Sequence, residues 1–133
     1  KIVFVSDDDQ FDSPIFTSNA DGSGLTQLTT GTLEPFNPNF SRDGTKIAYE
    51  ADTNGDGNDQ IYTMNADGSD QTAVTSGGDF SYSNPSWSPD VRHIVFERQI
   101  GGRTQIWTIL ADGTDQHELT HTGNNFMPNW SWK

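Results

Sequence analysis

The feature that most constrains this chain is an internal repeat. Ala20-Asp21-Gly22-Ser23 recurs as Ala66-Asp67-Gly68-Ser69 and as Ala111-Asp112-Gly113-Thr114, at steps of 46 and 45 residues. A period of that size marks stacked supersecondary units, each unable to bury its apolar face alone. Further anchors recur at nearly the same spacing: Ile15-Phe16, Ile61-Tyr62 and Ile106-Trp107; Leu28-Thr29, Val74-Thr75 and Leu119-Thr120; Ile2/Phe4, Ile47/Tyr49 and Ile94/Phe96. Each unit closes on Pro38-Asn39-Phe40-Ser41, Pro85-Ser86-Trp87-Ser88 or Pro128-Asn129-Trp130-Ser131.

Inside a unit, short runs such as Lys46-Ile47-Ala48-Tyr49-Glu50 and Gln60-Ile61-Tyr62-Thr63-Met64 carry β-branched and aromatic residues in alternation, the pattern of strands. Asp43-Gly44 and Asp67-Gly68 are hairpin signals, because glycine supplies the positive φ of a tight turn. Four strands in about 45 residues is the size of a propeller blade. No stretch shows a helical apolar period, so the expectation is all-β, with three four-stranded blades over about residues 1–44, 45–91 and 92–133. Only 31% of residues are hydrophobic, a level compatible with disorder, but 8 Phe, 4 Trp and 3 Tyr at regular intervals distribute a core among many short elements.

The run Pro85-Ser86-Trp87-Ser88-Pro89-Asp90, the Ile94/Phe96 strand after it, the segment Gln60 to Ser69 and the closing Leu-Thr pairs resemble the repeat of TolB-like β-propellers, a WD-repeat-like family. The likeness covers essentially the whole chain. It departs from the Ser-Pro-Asp-Gly pattern at Ser41-Arg42-Asp43-Gly44 and at Ser88-Pro89-Asp90-Val91. The resemblance implies a ring of six blades serving as a partner-binding component of the periplasmic Tol system, or as a domain attached to an enzyme. It therefore points to a non-enzymatic protein-interaction module, periplasmic or extracellular. The alternatives are a structural subunit of an extracellular filament, and the propeller domain of a larger peptidase or polysaccharide lyase.

Three blades are too few to close around an axis. The first residues match the Ile-x-Phe strand of a blade, and the last match the Pro-x-Trp-Ser strand that precedes it, so one blade is expected to be split between the termini. In a head-to-tail dimer Asn129 to Trp132 of each subunit would pair with Lys1 to Val5 of the other, making Ile2, Val3, Phe4, Trp130 and Trp132 the self-assembly residues. The same joint, failing to close, would give an open fibre. The start without Met or a signal-peptide core equally suits a segment processed or excised from a longer chain.

The formal charge of −12 excludes the basic footprint that nucleic-acid backbones require. No apolar run is long enough to insert in a membrane as a helix, and the absence of Cys excludes disulfides and thiolate chemistry. The sharpest local motif is Asp52-Thr53-Asn54-Gly55-Asp56-Gly57-Asn58-Asp59. Oxygens at alternate positions around a glycine turn are the pattern of a calcium loop, so Asp52, Asn54, Asp56 and Asp59 are candidate ligands, although Thr63 stands where a bidentate Glu would close such a site. An Asx-rich turn capping its own amides explains the same residues. Asp7, Asp8, Asp9 and Asp12 occupy the equivalent loop of the first unit without the glycine spacing, and Ile100-Gly101-Gly102-Arg103 that of the third without acid.

Between blades, Phe36, Phe80, Tyr82 and Phe126 emerge on the same side as the acidic hairpins and are candidate partner contacts; packing between blades is the competing role for these rings. His93, His117 and His121 lie on separate strands or turns, without the spacing of a metal triad. There is no Gly-x-Ser-x-Gly elbow, and no catalytic residue is assigned.

Overall fold

A computed structural model describes residues 1–6, 13–31 and 34–131. Eleven strands follow in order: β1 (Ile2–Val5), β2 (Ile15–Ser18), β3 (Thr26–Gln27), β4 (Phe36–Phe40), β5 (Lys46–Ala51), β6 (Gln60–Asn65), β7 (Thr72–Ala73), β8 (Ser81–Trp87), β9 (His93–Ile100), β10 (Arg103–Leu110) and β11 (His117–Glu118). No helix occurs among the described residues. The strands form three antiparallel meanders: β1-β2-β3, β4-β5-β6-β7 and β8-β9-β10-β11. Two sheets have four strands, but β4 and β8 pair with the strand that follows them, so these sheets span residues 36–73 and 81–118 rather than 45–91 and 92–133. The first sheet has three strands among the described residues, and residues 127–131 form no ladder there.

Alternation in the middle sheet builds two cores at once. Ile47, Tyr49 and Ala51 of β5 point toward the first sheet and meet Ile15, Leu28 and Met64. Ala48, from the opposite face of the same strand, joins Ile61 and Val74 against Tyr82, Trp87, Ile94 and Phe96 of the third sheet. A strand buried on both faces loses the polar alternation of a surface strand, which is why Ile47, Ala48 and Tyr49 follow one another in β5. Phe4 stacks on Phe16 and Tyr49 on Tyr62 at the same place in successive units.

The hairpin carboxylates terminate these strands. Asp67 accepts the Ser69 N–H and hydroxyl, Asp112 those of Thr114 and Asp21 those of Ser23. The glycine that follows each adopts positive φ, from 82° at Gly22 to 87° at Gly68. Sheet-to-sheet approach also needs this glycine: a Cβ added at Gly68 would lie 2.7 Å from the Leu28 carbonyl oxygen, and one at Gly113 2.9 Å from that of Val74.

Candidate functional site

The leading strands of the sheets, β4 and β8, lie side by side, and residues 127–129 continue the series. Their repeated triplets Asn37-Pro38-Asn39, Asn84-Pro85-Ser86 and Met127-Pro128-Asn129 line one shallow cleft of about 260 Å³. Each complete sheet is bulged here: the register shifts between Phe36 and Asn39 and between Ser83 and Ser86. The first residue of each triplet is left-handed, with φ of 48° at Asn37, 53° at Asn84 and 54° at Met127. Asn tolerates that conformation, whereas for most side chains it costs about 1–2 kcal/mol.

Buried carboxylates staple this cleft from behind. Glu50 accepts the Asn37 side-chain amide of its own sheet at 2.5 Å and the Asn84 backbone N–H of the next at 2.9 Å. Glu97 repeats the arrangement, with the Asn84 amide at 2.8 Å and the Met127 N–H at 2.6 Å. Burial pushes the Glu50 carboxyl above its usual range, against the opposing pull of those two donors. The corresponding residue of the first sheet is Val5, which has no acceptor to offer.

The hairpins at this end of the sheets carry the acidic motif. Asp52 accepts backbone N–H groups from Asn54, Gly55 and Gly57, at 3.2, 2.8 and 2.7 Å, and the Gly57 contact leads in holding its carboxyl below the usual range. Asn54 donates its amide to Asp56, and Asp56 accepts the Asn58 N–H. Asp59 is pushed the other way, first by burial and then by the charges of Asp52 and Glu34. Among the described residues no group of three His, Cys, Asp or Glu is placed to hold a metal. Asp7, Asp8, Asp9 and Asp12 lie outside the described residues. His117 contacts Asp115 at 2.7 Å, His121 lies 3.8 Å from Glu118, and the His93 ring sits beside Trp130, so the histidines do not converge.

The four candidate rings separate. Phe36 and Phe126 are exposed at this end. Tyr82 is in the core, 3% exposed and packed on Phe96, because β8 turns it toward the middle sheet; it offers no surface to a partner. Phe80 is half-buried under Arg98, whose guanidinium carbon lies 3.8 Å from its ring centroid and 4.5 Å from that of Trp107. That stacked arginine had no signal in the repeat, since the equivalent position of the middle sheet is Ala51.

The outermost edges hold the expected self-assembly residues. Ile2 is 47% exposed, whereas its counterparts Ile47 and Ile94 are both at 0%. Val3 and Phe4 are half-buried, Trp130 is half-buried beside His93, and Trp132 lies outside the described residues. Leu119 is 52% exposed, against 8% for Leu28 and 6% for Val74 at the equivalent place. A Cβ added at Gly22 would meet nothing within 4 Å, although one at Gly68 or Gly113 would press on the preceding sheet. One edge thus presents a Leu without its glycine, and the other a glycine without its Leu.

Stacked antiparallel meanders with leading strands around a common cleft define a β-propeller segment. The TolB β-propeller domain model matches residues 1–133, and the chain belongs to that family. No curated protein sequence matches it. Among solved structures, a TolB protein of Agrobacterium tumefaciens superposes with a TM-score of 0.75 at 22% identity, over 87% of this chain and 43% of that one. TolB from Acinetobacter baumannii gives 0.74 at 18% identity, over 89% and 30%. A chain of a nidogen/laminin complex gives 0.67 at 16% identity, over 81% and 40%. The chain therefore spans less than half the length of these propeller proteins, and at such identities the likeness establishes the fold.

Proposed function

We propose that this chain is a non-enzymatic interaction and assembly module. It associates with a further copy through its two unfinished edges, and it binds a protein partner at the acidic, aromatic end of the sheets. The observation that carries the reading is the interface left in halves: two sheet-to-sheet contacts are complete within the chain, and Ile2, Gly22 and Leu119 present the parts of a third. Burying those apolar groups and pairing the bare β1 edge both favour association. Concentrated protein should protect the β1 amides from hydrogen exchange relative to dilute protein; exchange independent of concentration contradicts the reading.

At the loop end, the hairpin and interblade segments carry Glu34, Asp52, Asp56 and Asp79 as well as the exposed Phe36 and Phe126, a combination complementary to a basic segment with an apolar anchor. That one structural neighbour comes from a nidogen/laminin complex supports a protein partner by analogy. The family resemblance supports a periplasmic or extracellular setting, and no helix among the described residues is long and apolar enough to cross a membrane. Binding of a Lys- and Phe-containing peptide should weaken with salt and fall about tenfold with Phe36→Ala. Salt-independent binding, or binding unaffected by that variant, contradicts this surface. Calcium at Asp52, Asn54, Asp56 and Asp59 is a further proposal, carried by the sequence pattern; calorimetric heat that disappears with Asp56→Ala supports it, and the absence of heat removes it.

A further inference from the structure

We infer that Val5 and Met127 form the contact that commits the open β1 edge to a second copy of this chain, in a defined register. The inference rests on the assembly reading above and names its partner. In the complete sheets the ladder pairs Phe36 with Glu50, Asn39 with Ala48 and Phe40 with Ile47, and then Ser83 with Glu97, Ser86 with Val95 and Trp87 with Ile94. Carrying that register to the unpaired edges places Phe126 opposite Val5, Asn129 opposite Val3 and Trp130 opposite Ile2. The left-handed residue of the bulge then falls beside Val5, as Asn37 falls beside Glu50 and Asn84 beside Glu97.

At this one place the repeat departs twice, and the departures match. Asn with Glu, a polar pair within each complete sheet, becomes Met127 with Val5, an apolar pair whose members sit on opposite edges of the molecule. Met127 is 82% exposed and holds a positive φ that Asn accommodates better, so within one copy its side chain gains nothing for that strain. Set against Val5 of a second copy, it is buried and fills the position of the Asn–Glu hydrogen bond. A blade of the Asn-bearing kind would instead leave its amide against Val5, desolvated and without an acceptor. The pair thereby selects a copy of this chain over the polar blades found inside it.

The test is association of the 133-residue chain followed by sedimentation over a dilution series. Met127→Asn and Val5→Glu should each weaken association about tenfold or more, while the two together recover it to within about threefold of the parent chain. Met127→Leu should retain it. Dilute Met127→Asn should melt no earlier than the parent, which separates an assembly effect from misfolding if Val5→Glu fails to fold. Single variants that associate like the parent, or a double variant no better than the singles, overturn the pairing. A parent chain that stays monomeric at about 100 μM overturns the assembly reading itself.

Discussion

At the scale of single residues, equivalent positions of the repeat are internal controls for one another. Gly22, Gly68 and Gly113 share a turn and a positive φ, but only Gly68 and Gly113 have the preceding sheet against them. Gly68→Ala should therefore lower stability by about 2–4 kcal/mol, combining left-handed strain with overpacking. Gly22→Ala should cost about 1 kcal/mol in the unassociated chain, from the strain alone. Chemical denaturation of both variants at low concentration measures the difference, and equal losses would refute this account of the turn. The glycines were legible in the sequence, because a repeated Asp-Gly announces its own turn. The roles of Glu50, Glu97 and Met127 were not, because a carboxylate followed along a strand shows its partner only once the next blade is in place.

At the scale of elements, the Asp-Gly turns and Asp90 respond to acid oppositely to the buried strand β5. Side-chain hydrogen bonds from Ser23, Ser41, Ser69, Ser88 and Thr114 lead in holding Asp21, Asp43, Asp67, Asp90 and Asp112 below the usual carboxylate range. A carboxyl lowered on folding contributes stability that is complete above its unfolded value, about 3.9, and is lost as pH falls through the lowered value. Glu50 is raised by burial, so the fold takes up its proton more readily than the unfolded chain, and acidification through its pKa adds stability. The melting temperature should be higher near about pH 5 than near about pH 8, and should fall below about pH 3.5. Glu50→Gln should reduce the first difference and leave the second. A melting temperature flat from mild acid to alkali contradicts the burial of Glu50. The strands themselves were readable from alternation and the Asp-Gly turns. The bulges were not, since Pro38 and Pro85 explain an interrupted ladder only when the partner strand is known. Tyr82 shows the same limit, because a ring at a strand start faces core or solvent according to a register that composition does not report.

At the scale of the molecule, the two outer edges differ: the first sheet exposes Ile2 and the Gly22 turn, and the third exposes Leu119. A heterologous contact either closes or propagates. Six sheets from two copies of a three-sheet chain match the ring that the family resemblance implies, whereas a joint of different rotation gives a filament. The number of sheets was legible in the repeat. The bulges that set the register of such an edge were not, because they show only in the ladders of the complete sheets.

The most direct test of this account is the mass of the 133-residue chain in solution, measured by light scattering during size exclusion. Closure through the β1 edge predicts a species of twice the 14.7 kDa chain mass that dissociates on dilution. A stable 14.7 kDa species at every concentration would contradict the claim that a second copy completes the open blade.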